Sequence, residues 1–291
     1  MEKIAFIINP IAGGKNKEQL VDRIAPIFPQ TEGYGIEIYY TQQAGDAEKT
    51  SASFVQQGFT KVIAVGGDGT VNEVARALVN TEAAMGIIPY GSGNGLARHL
   101  NIPLVAEKAL SLVKSTIARR IDTCTINDML FVCTAGVGFD ALISHRFAAD
   151  TRRGITTYIK HVLKEVVTYR PKKYRLTIDG KSIERTAFLI TFANAAQWGN
   201  NAYIAPHADI SDGLIDVVII NDFEQYKLLM LPIKLMAKRI DTDSAAEVFR
   251  CRHAIVEQES EDYAHFDGES TTMGKRMEIK IFPNTLKVMH N

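Results

Sequence analysis

Three glycines bracket an aspartate in Val65-Gly66-Gly67-Asp68-Gly69-Thr70-Val71-Asn72-Glu73. Residues 61–65 before them are mostly apolar and β-branched, which fits a buried parallel strand, and Val71, Val74, Ala75 and Leu78 follow at helical spacing. The glycines therefore sit in a strand-to-helix turn. Without Cβ atoms, Gly66, Gly67 and Gly69 let backbone N–H groups approach an anion, and the helix beginning near Thr70 turns its positive end toward it. That is chemistry for holding a phosphate. A carboxylate among phosphates repels them unless a cation or a hydroxyl donor stands between, so Asp68 points to magnesium or to a phosphate-accepting alcohol. The competing account is an ordinary turn in which Asp68 caps the helix.

Two further loops have the same construction. Residues 4–8 read as a short buried strand, after which Asn9-Pro10-Ile11-Ala12-Gly13-Gly14-Lys15 leads into a helix carrying Leu20, Ile24 and Ile27. Residues 85–89 read as another strand, and Tyr90-Gly91-Ser92-Gly93-Asn94-Gly95 leads into Leu96-Ala97-Arg98-His99-Leu100. Neither loop has the GxxxxGK[ST] or GxGxxG spacing, which excludes the commoner nucleotide fingerprints. Between them, residues 36–41 alternate like a strand and Gly45-Asp46-Ala47 opens a helix with Ala52 and Val55 on one face. Alternating strands and helices predict a doubly wound parallel sheet, whose ligands bind at the carboxyl ends of the strands.

A helix is expected over 106–118, with Ala109, Leu110, Val113 and Ile117 facing the core, and Arg119-Arg120-Ile121-Asp122 leads from it into a strand. The pattern then changes. Residues 129–133, 174–178, 186–192, 214–220, 248–256 and 277–282 are strand-like with few helices between them. The expected division is an α/β domain over 1–125 and a β-rich, sandwich-like domain over 126–291.

The chain has 291 residues, enough for two domains, and 33 basic residues balance 33 acidic ones. Nothing global points to nucleic acid. Cys124, Cys133 and Cys251 are far apart and form no CxxC pair, which argues for a reducing compartment and against a disulfide frame or a zinc site. No apolar run reaches the roughly 18–20 residues of a membrane span. A cytoplasmic protein is expected, one that transiently visits the inner face of the membrane.

These motifs together resemble the diacylglycerol kinase catalytic-domain superfamily of lipid kinases, especially its soluble bacterial members, with sphingosine kinases as relatives. The resemblance runs through the Asn9–Lys15 loop, Thr41 ahead of Gly45-Asp46-Ala47, the 65–73 turn, the 91–98 loop and Ile121-Asp122. It continues through Ala135-Gly136-Val137-Gly138-Phe139-Asp140-Ala141, Ala205-Pro206, Ile210-Ser211-Asp212-Gly213 and Asp267-Gly268-Glu269.

It implies that the first domain binds nucleotide, that the active site lies in the cleft between the two domains, and that ATP is bound by Asn9, Thr41, Gly66, Gly67, Asp68, Gly69, Thr70, Val71, Asn72, Ser92, Gly93 and Asn94. It implies a structural Mg2+ held by Asp212 with the backbone carbonyls of Asp209 and Leu214, although Asp212-Gly213 alone reads as a plain turn. Asp267 is implied as the general base, with Glu269 orienting it or joining a metal network completed by Asp68 and Asp122. A turn-stabilising role for these last three carboxylates stays open. His265 is expected to be a half-buried strand residue. Gly95 departs from the family pattern, which often has Asp there.

The resemblance implies an ATP-dependent lipid kinase. The first acceptor is diacylglycerol, giving phosphatidic acid; a sphingoid base or other long-chain alcohol is the second, and an NAD kinase-like enzyme or a non-catalytic binding protein the further alternatives. Homodimer formation stays open. A lipid acceptor calls for a peripheral membrane contact. One candidate is the basic stretch with Arg146, Arg152, Arg153, Lys160, Lys164, Arg170, Lys172, Lys173 and Arg175, in which Ile155, Tyr158, Ile159, Val162 and Val166 recur at helical spacing. The other is an expected helix over 226–239 with Leu228, Leu229, Leu231, Leu235 and Met236.

Overall fold

The computed structural model describes residues 2–14, 17–150, 155–166, 168–222 and 230–291. They divide into two compact units, Met1–Ile121 with Asn284–Asn291, and Asp122–Pro283.

In the first unit, strands and helices alternate: β1 (Glu2–Ile8), α1 (Glu18–Ile27), β2 (Tyr34–Tyr40), α2 (Asp46–Gln56), β3 (Lys61–Gly66), α3 (Asp68–Leu78), β4 (Ala84–Pro89), α4 (Gly95–His99) and α5 (Ala106–Ser115). The strands lie parallel in the order β2-β1-β3-β4. Residues 4–8 and 62–65 are buried along their whole length, as strands covered on both faces must be. Helix α3 presents Val71, Val74, Ala75 and Leu78 to that core, as their spacing predicts. Register places Tyr40 beside Ile8, Ile8 beside Val65, and Val65 beside Ile88. The loops after all four strands therefore emerge at one edge.

The chain enters the second unit within β5 (Ala118–Ile126). There follow β6 (Met129–Phe131), β7 (Thr134–Gly138), α6 (Phe139–Ala149), α7 (Ile155–Glu165), β8 (Lys172–Ile178), β9 (Lys181–Ala193), β10 (Ile215–Asn221), α8 (Leu231–Met236), β11 (Ala246–Cys251), β12 (His253–Gln258), β13 (Asp262–Phe266), β14 (Glu269–Met273) and β15 (Arg276–Met289). Antiparallel pairing runs β14-β13-β7-β9-β8-β12-β15, and β10 lies between β9 and β11. One face buries a core that includes Phe131, Tyr174, Phe192 and Met277.

The α/β unit and the β-rich unit match the expected classes, but details differ: the helix expected over 106–118 ends at Ser115, and Ile117, expected to face the core, is 86% exposed. The stretch 248–256 is two strands, parted at Arg252, whose N–H turns to the Asp179 carboxylate at 3.1 Å. The expected division at 125/126 falls within β5, whereas the units part after Ile121. The last eight residues return to the first unit, because Lys287 and Val288 of β15 pair in parallel with Ala84 and Met85. Of the helix expected over 226–239, residues 226–229 lie outside the described residues, as do Arg152 and Arg153.

Candidate active site

Loop chemistry at the strand ends of the first unit begins with missing Cβ atoms. A Cβ on Gly66 would lie 2.5 Å from Thr70 Oγ1, and one on Gly91 would lie 2.7 Å from the Gly67 Cα. A Cβ on Gly13, whose φ is +65°, would fall 1.9 Å from the Tyr90 carbonyl oxygen. The loops after β1, β3 and β4 are thus in backbone contact, and glycine is what allows it. Asn9 adds side-chain ties, donating from Nδ2 to Thr70 Oγ1 at 3.2 Å and accepting the Ile11 N–H at 3.1 Å. Thr41 closes the end of β2, its N–H donating to the Ile8 carbonyl at 2.9 Å.

Asp68 stands at the first position of α3, and its carboxylate accepts the Asn94 N–H at 2.9 Å and the Gly95 N–H at 2.7 Å. It clamps one glycine loop to the other. Asn94 adopts the left-handed conformation, with φ +52°, and its amide accepts the Gly91 N–H and donates to the Gly91 carbonyl at 2.9 and 2.7 Å. The side chain of Asn94 thus shapes the loop, as does Arg98, which donates from Nε to the Gly93 carbonyl at 3.0 Å. Ser92 and Gly93 sit at the tip. Thr70, Val71 and Asn72 are buried, Asn72 completely, and support the turn from within.

Two supports give no local sign of their role. Glu73 on α3 accepts the N–H groups of Gly45 and Ala47, both at 3.0 Å, capping α2 from another helix. Lys17 is 4% exposed, donates to the Pro10 and Ala12 carbonyls at 3.0 and 2.7 Å, and stands over the Tyr90 ring at 5.0 Å. Burial lowers its ammonium pKa. Lys15, the lysine of the first motif, lies outside the described residues.

In the second unit, Asp267 and Gly268 are the central residues of the tight hairpin between β13 and β14, which pairs Phe266 with Glu269. Both have positive φ, +46° and +82°, the requirement of the mirror-image turns that suit hairpin twist. A Cβ on Gly268 would meet nothing within 4 Å, so the turn conformation accounts for this glycine. The Asp267 carboxylate accepts three backbone N–H groups: Val132 and Cys133 at 2.8 Å each and Thr134 at 3.1 Å. Its own N–H donates to the Thr134 carbonyl at 2.8 Å. The segment 132–134 is gripped from its other side by Asn194, which donates to the Val132 carbonyl at 2.8 Å and the Asp122 carbonyl at 3.0 Å.

Asp122 is fully buried and accepts the Gly213 N–H at 2.7 Å, while its own N–H donates to the Ile210 carbonyl. It therefore fixes the 209–214 loop. Asp122 and Asp267 both act on Cys124, whose thiol pKa is pushed well up by burial first and then by these two carboxylates.

The oxygens implied as magnesium ligands are of the hard kind that magnesium takes. Asp212, however, accepts the Leu214 N–H at 2.9 Å from one carboxylate oxygen and is ion-paired through the other to Arg250, the residue directly opposite Asp216 across β10 and β11. Arg250 also reaches Asp216, at 3.6 Å. Asp209 spends a carboxylate oxygen on the Ser211 N–H and hydroxyl, at 3.0 and 2.7 Å. One carboxylate and two backbone carbonyls make up the implied set, and in this structure that carboxylate is met by the Arg250 guanidinium.

His265 is 3% exposed rather than half-buried, because it pairs with an equally buried partner: its Nε2 lies 2.9 Å from Asp140 Oδ2. Asp140 also accepts the Thr191 hydroxyl at 3.1 Å and the Ala141 N–H at 2.8 Å. A Cβ on Gly136 would lie 2.6 Å from Asp140 Oδ2, so that glycine of the 135–141 motif makes room for the pair.

Residues 3–126 match the family described as the diacylglycerol kinase catalytic domain, and residues 133–290 match the YegS C-terminal NAD kinase beta sandwich-like domain. The protein named "Probable lipid kinase YegS" of Escherichia fergusonii is 30% identical over 287 residues, covering 95% of this chain and 93% of its own. "Lipid kinase YegS" of Escherichia coli is 30% identical over 285 residues, again covering 95% and 93%. The crystal structure of a diacylglycerol kinase from Bacillus anthracis Sterne aligns with a TM-score of 0.75 at 19% identity, over 100% of this chain and 97% of that one, a likeness of fold.

Proposed function

The chain belongs to the YegS-like family of lipid kinases, with a diacylglycerol kinase catalytic domain and a YegS C-terminal domain, and from this premise we propose that it transfers the γ-phosphate of ATP to a lipid hydroxyl, diacylglycerol first among the acceptors. The observation that carries the reading is the Asp68 clamp, which fixes two glycine loops together at the N-terminus of α3 before any ligand arrives. Preorganised N–H groups and a helix end are what phosphates need.

In this reading the phosphates of ATP rest against the 66–72 and 91–95 loops. The lipid oxygen attacks the γ-phosphorus, the bond to the β-phosphate bridging oxygen breaks, and the hydroxyl proton passes to Asp267 late in the step. Phosphoryl transfer asks the protein for position more than for base strength, and a carboxylate pinned by three N–H groups supplies position.

The test is phosphate transfer from γ-labelled ATP in mixed micelles containing diacylglycerol, sphingosine or no lipid, with NAD as a water-soluble acceptor. Label in a chloroform-extractable product from diacylglycerol is the expected result. Label in sphingosine alone moves the substrate, label in NAD alone moves the enzyme class, and no label with any acceptor overturns the reading.

A further inference from the structure

Of the two basic helices that could meet a membrane, α7 turns apolar residues toward its own unit. Val162 and Val166 pack against the core cluster of Phe139, Phe188 and Ile220, and Arg146 is ion-paired with Glu165 at 3.0 Å. Helix α8 also anchors one face but leaves a longer apolar row outside than the exposed Leu163 of α7, among the described residues. Leu231 and Leu235 anchor it in that same cluster, the Leu235 carbonyl accepts the Tyr203 N–H at 3.1 Å, and Lys234 is tied to Asp243 at 2.6 Å. With the inner face so fixed, Met230, Ile233 and Met236 point outward, 49%, 57% and 66% exposed. Such a row of large apolar side chains on a short anchored helix is an unusual thing to leave in water.

Among the described residues, the charges that follow this row begin with two cations. Lys238 and Arg239 follow it and are exposed, Lys238 lying over the Tyr203 ring at 4.2 Å. The next carboxylates in the chain, Asp241 and Asp243, are already engaged, by His207 at 3.2 Å and by Lys234. Apolar side chains fringed by exposed cations complement a bilayer interface with negative headgroups. We infer that the outward face of α8, Met230, Ile233 and Met236 with Lys238 and Arg239, is where the protein rests on an anionic membrane. The inference takes its purpose from the lipid-kinase reading, since the acceptor resides in that membrane, but the contact itself needs neither ATP nor turnover. The soft, unbranched methionines suit a fluid partner better than a shaped pocket would.

The experiment is flotation of the full chain with vesicles of phosphatidylcholine alone or mixed with phosphatidylglycerol. It compares wild type, Ile233→Glu with Met236→Glu, and Lys238→Glu with Arg239→Glu. Wild type should float with the mixed vesicles and lose most binding to the neutral ones. Each double variant should lose about tenfold or more in partitioning to the mixed vesicles. Melting temperatures should stay at the wild-type value, because the substituted groups are exposed; Ile233→Ser with Met236→Ser serves if the glutamates disturb the helix. Wild-type protein that stays unbound, or variants that float like wild type, overturns the inference. So does a wild-type dimer that the glutamates split, which would make this face a contact between copies. Transfer to a short-chain, water-soluble diacylglycerol separates the two claims. Its presence with unaltered binding in the variants sinks the surface alone, and its absence with lost binding in the variants sinks the kinase reading alone.

Discussion

The Asp68 carboxylate receives the N–H groups of both Asn94 and Gly95, so a residue on α3 holds the loop that follows β4. Hydrogen bonds to a charged group are worth about 1.5–3 kcal/mol each. Asp68→Asn turns one acceptor into a donor facing an N–H. The expected outcome is a lower melting temperature together with ATP affinity weakened about tenfold or more, read by calorimetry. Unchanged affinity in the folded variant would separate the clamp from nucleotide binding.

Gly67 and Gly91 differ in the space a methyl group would find. A Cβ on Gly91 would be 2.7 Å from the Gly67 Cα, whereas one on Gly67 would be 3.2 Å from the Gly91 Cα. Gly91→Ala should cost about 1–3 kcal/mol, on the scale of overpacking, and Gly67→Ala less. Urea denaturation of the two variants gives the order, and the reverse order would mean that the loops do not meet as described.

Asp267 combines a turn conformation with a carboxylate, and two variants pull these apart. Asp267→Asn keeps the left-handed turn, which Asn tolerates, and removes the proton acceptor. Gly268→Ala keeps the carboxylate and strains the turn by roughly 1–2 kcal/mol. Turnover should fall about 10²–10⁴-fold in the first and far less in the second, with ATP affinity near wild type in both. Equal losses of turnover, tracking equal losses of stability, would leave Asp267 a turn residue only.

Arg250 answers Asp212 and Asp216 in the place where the family resemblance implies magnesium. Arg250→Met leaves Asp216, 3% exposed, without its cation and should lower the melting temperature. Magnesium should then raise the melting temperature of the variant and leave that of wild type unmoved. An equal magnesium shift in both would restore the implied ion.

Glu247 accepts a forked contact from Arg185, at 2.7 and 2.8 Å, and an N–H of Asn221 at 2.6 Å. Arg185 first, then Asn221, hold its carboxyl below the ordinary value, against the opposing effect of burial. A depressed carboxyl stabilises the fold above its unfolded pKa, and that contribution is lost as pH falls through the folded one. Glu247→Gln should therefore flatten the acid limb of a stability profile below about pH 4.5 and change its neutral plateau by a constant amount. An acid limb identical to that of wild type would refute the assignment.

What was legible in the sequence is what local pattern encodes. The spacing of Val71, Val74, Ala75 and Leu78 announces α3, and its glycines announce the turn. The hairpin at Asp267-Gly268 falls outside the expected strands although its dipeptide is a turn signal, because its neighbours draw the eye to chemistry first. What stayed hidden depends on partners far along the chain. Nothing near Glu73 says that it caps α2, nothing near Lys17 says that it will fold back on Pro10 and Ala12, and Gly91 earns its place only through Gly67. His265 reads as half-exposed because its partner, Asp140, is more than a hundred residues away.

Strand β15 has a consequence for the order of synthesis. Lys287 and Val288 pair with Ala84 and Met85, which are translated about two hundred residues earlier. While the ribosome is still at work, the β4 edge of the nascent sheet has no neighbour, and an unpaired apolar edge is a place where growing chains stick together. The first unit can complete itself only after the second has left the ribosome. A stop codon just before Lys287 should therefore injure the first unit, most of which is made before the second.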